Sequence, residues 1–243
     1  MFNVSDKKIL ITGGSSGIGN ALTKGFANAN AIVTNLDINK PLKSSNIDFI
    51  KCDLSKLKSI NGALKKYTKK YICPDVVINC AGVTIPKVSH EYDEKAWQKT
   101  IDINLSAIFY ICKNIGNIMI KSKIKGSIIN ITSMGAEQGF PNNPAYQASK
   151  GGVKQLTKAL AVDWGQYGIR VNNIVPGYTN TPMNKISWNN KKLRKARADN
   201  TLLKRWAKPE EMVGPSMFLA SDASSYVTGT DLIVDGGWLV KGI

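Results

Sequence analysis

Short apolar runs alternate with longer stretches of helical periodicity along most of the 243-residue chain. Most of the short runs are continuously apolar, as expected for parallel strands that are buried on both faces. The predicted strands are Lys8–Thr12, Ala31–Leu36, Asp48–Cys52, Val76–Asn79, Gly126–Thr132, Arg170–Val175 and Asp231–Val234. The predicted helices are Gly17–Asn28, Leu57–Lys70, Glu94–Lys121, Ala145–Tyr167 and Pro209–Ala220. Alternation of strands and helices indicates right-handed βαβ units and an α/β fold. We expect a Rossmann-like doubly wound parallel sheet of about seven strands with helices on both faces.

The pattern contains no repeat, no low-complexity linker and no shift in composition that would divide the chain. The length of the chain suits one large α/β unit with a substantial core, so we expect a single domain over residues 1–243. Residues 183–208 differ from the rest, because they are polar and basic, with Trp188 and Trp206 as isolated large apolar residues. Long excursions in compact domains often cover active sites, and we therefore interpret residues 183–208 as a substrate lid.

The net charge of the chain is +16, from 33 basic and 17 acidic residues. Such a balance can indicate binding to nucleic acid, to a membrane surface or to acidic substrates. The lysines are scattered along the chain, however, and no aromatic residues are interleaved with them to stack on bases. We expect a solvated basic surface and no nucleic-acid partner. A nucleic-acid-binding or regulatory module that kept the fold is the alternative from a different functional class.

The cysteines and the single histidine, His90, limit the metal chemistry that the chain could support. Its four cysteines, none of them in a CxxC pair, are Cys52, Cys73, Cys80 and Cys112. We expect no metal site and free thiols in a reducing compartment. No apolar run reaches the roughly 18 residues that span a bilayer, and the polar N-terminus lacks the apolar core of a secretory signal. A cytoplasmic protein with no membrane partner is the expectation.

A glycine-rich turn follows the first predicted strand and precedes the first predicted helix, over Thr12-Gly-Gly-Ser-Ser-Gly-Ile-Gly19. Glycines let the backbone turn tightly and approach a pyrophosphate, and the helix that follows offers unpaired N–H groups and a positive dipole end. The order strand, glycines, helix at the start of an alternating chain indicates a dinucleotide cradle. An ordinary tight turn between strand and helix is the simpler alternative.

The second predicted strand leads into Asp37, 18 residues beyond Gly19. A carboxylate in this place can accept hydrogen bonds from both adenosine ribose hydroxyls, and it repels a 2′-phosphate. No Arg or Lys stands at Ser15, Ser16 or Ile38 to bind that phosphate. The sequence therefore predicts NAD as the cofactor, in preference to NADP. Asp37 could alternatively only start a turn with Asn39 and Pro41.

These features together resemble the short-chain dehydrogenase/reductase family, in its 3-oxoacyl-reductase and sugar-dehydrogenase-like branch. The resemblance covers essentially the whole chain. The matching segments are the glycine-rich turn, Asn79-Cys80-Ala81-Gly82, Pro176-Gly177 with Thr179 and Thr181, and Asp235-Gly236-Gly237. Cys80 stands where the family has a second Asn in its Asn-Asn-Ala-Gly element, which leaves the local hydrogen bonding there in doubt.

The resemblance implies both a catalytic tetrad and a set of cofactor contacts. The tetrad is Asn104, Ser133, Tyr146 and Lys150. The implied cofactor contacts are Gly13, Ser15, Ser16, Gly17, Ile18, Gly19, Asp37, Asp53, Leu54, Asn79, Ala81, Gly82, Tyr146, Lys150, Pro176, Gly177, Thr179 and Thr181. For Asp53, which precedes Leu54 and Ser55, a helix-cap role is the alternative.

The tetrad has a chemical rationale. Oxidation of an alcohol removes the hydroxyl proton as hydride leaves carbon, and a tyrosine whose ordinary pKa is about 10 can accept that proton only if its pKa falls. Lys150 stands four residues after Tyr146, on the same face of a predicted helix, where its charge favours the phenolate. Ser133 ends a predicted strand and can hold the substrate oxygen. The family pattern implies that Asn104 distorts its helix and anchors a water that relays protons to Lys150.

The substrate is less determined than the reaction. Candidate pocket residues in the loop after Ser133 are Glu137, Gln138, Phe140, Asn142 and Asn143. The basic side chains of the lid are Lys185, Lys191, Lys192, Arg194, Lys195 and Arg197, which could favour an anionic substrate or form a solvated helical face. We predict an NAD-dependent oxidoreductase that interconverts a secondary alcohol and a ketone, on a sugar, polyol or sugar acid. Reduction of a 3-oxoacyl-acyl-carrier-protein thioester is the alternative.

Gly151 and Gly152 lie inside a predicted helix, where each glycine costs about 1 kcal/mol relative to alanine. Close helix packing would account for both, and the family commonly places this helix at a subunit interface. A homotetramer is expected, with a dimer as the alternative.

Overall fold

A computed structural model describes residues 2–40 and 47–241 of the chain. All seven predicted strands are present, and each lies within two residues of its predicted bounds. The strands are β1 (Lys8–Thr12), β2 (Ile32–Asp37), β3 (Ile47–Lys51), β4 (Val76–Asn79), β5 (Ser127–Ile131), β6 (Arg170–Pro176) and β7 (Asp231–Val234). They form one parallel sheet in the order β3-β2-β1-β4-β5-β6-β7. The predicted Rossmann-like α/β fold is confirmed.

Within the described residues, eight α-helices connect and cover the strands. They are α1 (Gly17–Asn28), α2 (Leu57–Tyr71), α3 (Glu94–Ile101), α4 (Ala107–Lys121), α5 (Pro144–Trp164), α6 (Lys185–Asn189), α7 (Lys191–Asp199) and α8 (Val213–Ala220). The predicted helix Glu94–Lys121 is interrupted by a π-helical turn over Asp102–Ser106. Two other predicted helices include a tighter 3-10 turn, over Gly165–Tyr167 at the end of α5 and over Pro209–Met212 before α8. These turns tighten helix ends, as 3-10 segments commonly do.

The alternation of side chains along β1 divides the core into two layers. Leu10 points to a cluster that α2, α4 and α5 cover, whereas Ile9 and Ile11 point to a cluster that α1 and α8 cover. Side chains alternate across a strand, so a strand in a parallel sheet must be apolar on both faces. This explains why β1 reads as a continuous apolar run.

The continuous helical stretch Glu94–Lys121 is long and apolar enough to cross a membrane by length and composition alone, since an 18-residue window has a mean hydropathy of 1.3. The buried 44% of that window packs against the sheet. Ile111, Ile115 and Met119 of α4 are fully buried in the cluster shared with α2 and α5. The apolarity of α4 is therefore that of a core helix.

The strand order reverses direction between β1 and β4. β1 pairs with β2 on one side and with β4 on the other, so the loops after β1 and β4 diverge to opposite faces. Open α/β sheets bind ligands in the crevice at such a switch point, beyond the carboxyl ends of the strands. The sequence-predicted site residues follow the ends of β1 to β6, and they therefore gather along this one edge.

Candidate active site

The glycine-rich turn forms a narrow cradle between β1 and α1. A Cβ on Gly13, whose φ is +72°, would lie 2.7 Å from the Cα of Ala81, and a Cβ on Gly19 would lie 2.1 Å from the carbonyl oxygen of Gly13. Neither position therefore tolerates a side chain. Helix α1 begins after Ser16, which provides no side-chain cap, and its first turn contains no acidic residue. The free N–H groups there suit a pyrophosphate, which is the fit that a dinucleotide requires.

Two side chains that were not among the predicted site residues hold this cradle in place. Asn35 of β2 is fully buried, accepts a hydrogen bond from the amide of Gly14 at 2.8 Å and donates one to the hydroxyl of Ser15 at 3.0 Å. The hydroxyl of Thr12 accepts hydrogen bonds from the amides of Cys80 (3.1 Å) and Ala81 (3.2 Å). A buried amide in the middle of an apolar strand was the available signal for Asn35.

Asp37 lies at the carboxyl end of β2, beside the cradle. Its carboxylate accepts hydrogen bonds from the amides of Ser15 and Asn39, both at 3.0 Å. Asp37 therefore does start a turn with Asn39, as the alternative interpretation proposed. Pro41, the other residue of that predicted turn, lies outside the described residues. Each carboxylate oxygen keeps a free lone pair, so the two amides fix the carboxylate without using all of its capacity to accept.

The two implied cofactor contacts after β3, Asp53 and Leu54, differ in their surroundings. Asp53 accepts hydrogen bonds from the amide and the hydroxyl of Ser55, at 3.0 and 2.7 Å, which lower its pKa. This is a local turn rather than a cap of α2, whose N-cap position is Lys56. Leu54 packs at the edge of the cluster beneath α2. The Asp53 carboxylate thus shapes the loop that follows β3.

Asn79 is one of the implied cofactor contacts, and its side chain is committed to the sheet. Its side chain is fully buried and donates to Asn130 Oδ1 on β5 at 2.8 Å. Ala81 and Gly82 continue along the crevice instead. A Cβ on Gly82 would lie 3.4 Å from Asn104 Oδ1 and 3.7 Å from Lys150 Nζ, so Gly82 borders both residues. The side chain of Asn79 thus holds the end of β4 against β5, whereas Ala81 and Gly82 present their backbone to the crevice.

The segment after β6 closes the crevice from the opposite side. Gly177 packs against Asp235, since a Cβ on Gly177 would lie 2.6 Å from the Asp235 Cα. Thr179 is buried and donates its hydroxyl hydrogen bond to the carbonyl of Gly177 at 3.0 Å. Thr181 lies over the start of α1, where a Cβ on Gly17 would be 3.3 Å from its Cβ. Thr181 therefore meets the cradle across the crevice, whereas Thr179 holds the loop from within.

Tyr146, Lys150 and Ser133 come together at the start of α5 and the end of β5. The Lys150 Nζ lies 5.7 Å from the centroid of the Tyr146 ring and donates to the carbonyl of Ile131 at 2.7 Å. The hydroxyl of Ser133 accepts a hydrogen bond from the amide of Gly135 at 3.1 Å and faces the Tyr146 phenol. The spacing of four residues on α5 places both side chains on one face.

Burial dominates the electrostatics of this group. Lys150 is only 3% exposed, and burial lowers its pKa to about 8. Burial raises the pKa of Tyr146, hydrogen bonding with Ser133 lowers it in part, and the neighbouring thiol of Cys80 raises it further. Proton transfer by Tyr146 requires a lowered pKa, and the protein side chains alone do not provide it. To lower the pKa of Tyr146 below its ordinary value, further positive charge is required beside the phenol.

Asn104 lies in the π-helical turn that interrupts the helix between α3 and α4, at the position where the resemblance implied a distortion. Its side chain accepts a hydrogen bond from the amide of Val83 at 2.8 Å, and donates to the carbonyl of Val83 at 2.9 Å and to the hydroxyl of Ser149 at 3.2 Å. Asn104 thus ties α5 to the loop after β4. π-Helical turns of this kind are frequent at functional sites.

An aromatic cluster borders the crevice on the side of the lid. Its members are Phe140, Tyr178, Trp188, Trp206 and Trp238, with neighbouring ring centroids 5.0 to 6.4 Å apart. Phe140 belongs to the loop before α5, and its amide donates a hydrogen bond to the side chain of Gln147, the neighbour of Tyr146. The two tryptophans of residues 183–208 therefore pack together and belong to one apolar wall. The sequence could not show this packing, because Trp188 and Trp206 are isolated large apolar residues along the chain.

Of the predicted pocket residues, Phe140 and Asn143 are half-buried, and Glu137 is held in an ion pair. The carboxylate of Glu137 pairs with Lys154. Asn143 donates to the hydroxyl of Thr84 at 2.7 Å, and its Oδ1 is buried without a partner among the described residues. Gln138 and Asn142 are exposed.

Three of the four cysteines are buried and all four are free.

A nucleotide cradle at the switch point, followed by a tyrosine, a lysine and a serine at the same sheet edge, defines a dinucleotide-binding oxidoreductase. Residues 13–239 match the family model described as enoyl-(acyl carrier protein) reductase. The chain is 32% identical to a 2-dehydro-3-deoxy-D-gluconate 5-dehydrogenase of Pseudoalteromonas atlantica, over 98% of each chain. It is 35% identical to a 3-oxoacyl-(acyl-carrier-protein) reductase of Chlamydia muridarum, over 96% of this chain and 97% of that one.

Solved structures agree with these relatives. A gluconate 5-dehydrogenase from Burkholderia cenocepacia in complex with NADP and tartrate superposes with a TM-score of 0.93 at 29% identity, over 98% of this chain and 97% of that one. The chain belongs to the short-chain dehydrogenase/reductase family. It is an oxidoreductase that acts on the CH–OH group of a small-molecule substrate with a nicotinamide cofactor.

Proposed function

We propose that the protein is an NAD-dependent dehydrogenase that interconverts a secondary alcohol and a ketone on a sugar, polyol or sugar acid. The observation that supports this most directly is the convergence of Tyr146, Lys150 and Ser133 beside the nucleotide cradle. The relatives include an enzyme named for a sugar acid, 2-dehydro-3-deoxy-D-gluconate. The alternative is reduction of a 3-oxoacyl thioester, which the relative from Chlamydia muridarum favours.

The proposed mechanism assigns one task to each residue of the tetrad. Tyr146 accepts the hydroxyl proton of the alcohol during oxidation, and returns a proton to the carbonyl oxygen during reduction. Ser133 donates a hydrogen bond to the substrate oxygen and keeps it beside the phenol. Lys150 provides a positive charge near the phenolate, and Asn104 holds the loop and helix that enclose the lysine. A bound nicotinamide supplies the hydride acceptor or donor and a positive charge in its oxidised form.

Asp37 carries the preference for NAD in this proposal. Its carboxylate is fixed by two backbone amides at the point where a 2′-phosphate would have to lie, and like charges there repel. No Arg or Lys stands at Ser15, Ser16 or Ile38 to offset that repulsion. The ribose hydroxyls of NAD can instead donate to the free lone pairs of Asp37.

We propose that residues 1–243 form one cytoplasmic domain and that the protein assembles as a homotetramer. Residues 183–208 act in it as the lid over the substrate. They contain α6 and α7, and the aromatic cluster joins them to the wall of the crevice. Opening of such a lid would admit the substrate, and closure would exclude water.

The catalytic assignment is tested by Tyr146→Phe. The variant keeps the ring and its packing but has no group to accept the proton, so turnover should fall at least about a thousandfold, within the range that general acid–base catalysis provides together with substrate positioning. Binding of NADH, measured by fluorescence titration, should change by less than about threefold. Near-normal turnover by Tyr146→Phe would exclude Tyr146 as the proton acceptor.

The coenzyme preference is tested with the unmodified protein. We expect kcat/KM for NADH to exceed that for NADPH by at least about tenfold, since one unfavourable charge contact is worth about 1.4 kcal/mol or more. Initial rates at the nicotinamide absorbance, with one carbonyl substrate and both coenzymes, give the ratio. A preference for NADPH would contradict the role of Asp37 without affecting that of Tyr146.

A further inference from the structure

The basic residues of the lid are not equivalent in the structure. Lys185, Lys191, Lys192 and Lys195 are exposed, as the solvated-face interpretation requires. Arg194 and Arg197 are half-buried and face aromatic rings. Among these six basic residues, Arg194 and Arg197 are therefore the two that the aromatic rings position.

The two arginines of α7 lie against different parts of the aromatic cluster. The Arg197 guanidinium carbon is 4.5 Å from the centroid of the Tyr178 ring and 5.9 Å from that of Trp206. Arg194 lies 5.2 Å from the centroid of Trp188. Stacking on a ring fixes the plane of a guanidinium and leaves the N–H groups at its edge free to donate. Burial raises the pKa of Tyr178, and the positive charge of Arg197 beside the ring lowers it in part.

Arg197 stands on the wall that leads to the catalytic residues. Tyr178 directly follows Gly177 in the segment after β6, and its ring lies 6.4 Å from that of Phe140. The amide of Phe140 donates to Gln147, which adjoins Tyr146 on α5. A short series of contacts thus connects the proton-transfer group to Arg197, whereas Trp188 and Arg194 extend the cluster away from Tyr178.

Arg197 has no acidic partner of its own within the described ranges 2–40 and 47–241, where no carboxylate lies within 4.0 Å of it. Asp199 is the only acidic residue in the lid, and it pairs with Lys195 at 2.7 Å. The carboxylate of Glu137, in the opposite loop, pairs with Lys154. A half-buried, oriented guanidinium without a carboxylate partner is suited to bind one in bidentate geometry.

We propose that Arg197 binds the carboxylate of a hydroxy-acid substrate and is the residue by which the lid selects an anionic substrate over a neutral polyol. This inference rests on the proposed dehydrogenase function and narrows its substrate class to sugar acids. Arg197 is a specificity-determining residue here. The proton is still transferred at Tyr146.

The test compares matched acids and polyols. The substrates are aldonates of four to six carbons, D-gluconate among them, each paired with the alditol that has a hydroxymethyl group in place of the carboxylate. Arg197→Gln should lower kcat/KM for the best aldonate by about tenfold to hundredfold, mainly through KM, since a charge-assisted hydrogen bond is worth about 1.5–3 kcal/mol. Turnover of the alditols should change by less than about twofold. Arg197→Lys should recover part of the loss.

Arg194→Gln is the matched control, because it removes an arginine from the same helix and from the same cluster. It should leave the aldonate-to-alditol ratio unchanged, and thermal melting of both variants shows whether α7 remains folded. An equal loss on acids and polyols in Arg197→Gln, or no loss on either, would overturn the inference.

Binding of D-gluconate to the NAD-saturated protein, measured by calorimetry, decides the inference independently of turnover. Arg197→Gln should weaken that binding by about tenfold or more, and Arg194→Gln should not. Equal affinities in the unmodified protein and Arg197→Gln would overturn the inference. Failure of the unmodified protein to oxidise any alcohol of the panel would instead contradict the proposed function.

Discussion

At the scale of single residues, the proximity of Tyr146 and Lys150 was predictable and their electrostatics were not. The spacing of Tyr146 and Lys150 on a helix fixes which face they share, so sequence alone could bring them together. Their pKa values depend on burial, which depends on how α5 packs. Asn79 shows the same limit, because its side chain bonds to Asn130 on a strand 51 residues away. The sequence could identify the motif without showing where its amide points.

Lys150 provides a stability prediction at this scale. Its ammonium is buried with the carbonyl of Ile131 as its hydrogen-bond partner, and burial lowers its pKa to about 8 from an ordinary value near 10.4. Lys150→Met should therefore abolish turnover but raise the free energy of unfolding at pH 7 by about 1–3 kcal/mol. The cost of the buried charge is fully present below pH 8. It disappears as the pH rises from about 8 to about 10.5, where the lysine is neutral in both states.

Urea unfolding of the wild type and Lys150→Met at pH 7 and pH 10 measures this difference. The advantage of the variant should shrink at the higher pH. Lys158→Met is the control, since Lys158 is an exposed lysine on the same helix and its loss should change stability by less than about 0.5 kcal/mol at either pH. A Lys150→Met variant that is less stable than the wild type at pH 7 would show that the charge is compensated.

At the scale of elements, hydrophobic periodicity predicted the seven described strands, and most clearly the five inner ones, which are buried on both faces. It could not predict the π-helical turn at Asp102–Ser106, since the apolar pattern of α3 and α4 continues through that turn. The reason for Gly152 also became visible only in the structure. A Cβ on Gly152 would lie 2.8 Å from Leu105 Cδ2, so the glycine lets α5 approach the π-helical turn that holds Asn104.

A buried polar chain aligns the strand ends that carry the site. Asn79 donates to Asn130, Asn130 to Thr157, Thr157 to Asn173 and Asn173 to Asp231, at 2.7 to 2.8 Å. The chain crosses β4, β5, β6 and β7 through one hydroxyl of α5. Buried amides must be paired, so this arrangement accepts one register of the four strands. The register in turn fixes where the loops after β4, β5 and β6 emerge at the crevice.

At the scale of the whole molecule, the outer face of α5 is unoccupied by the described chain and is apolar or small in character. Val162 is 80% exposed, and a Cβ on Gly151 would have no atom within 4 Å. Phe109 of the adjacent α4 is 40% exposed. Gly152 is accounted for by packing within the chain and Gly151 is not, so Gly151 is the better probe of assembly. The proposed homotetramer would cover this face with a second copy of the helix pair.

Gly151→Arg tests that assembly. The substitution meets no neighbour within the chain and replaces a glycine in a helix, so folding should be unaffected or slightly stabilised, by up to about 1 kcal/mol. A long charged side chain in a helix–helix interface, however, would keep two subunits apart and leave its charge unpaired. Analytical ultracentrifugation should give four times the chain mass for the wild type, and half of that value or less for Gly151→Arg.

Gly62→Arg is the matched control, because Gly62 also lies in a helix, α2, and a Cβ there also meets no atom within 4 Å. Both variants add the same charge and the same helix propensity, so any difference between them reports the position alone. Gly62→Arg should keep the mass of the wild type. A Gly151→Arg protein of unchanged mass would place the interface elsewhere, and a wild-type protein that sediments as a single chain would contradict the tetramer itself.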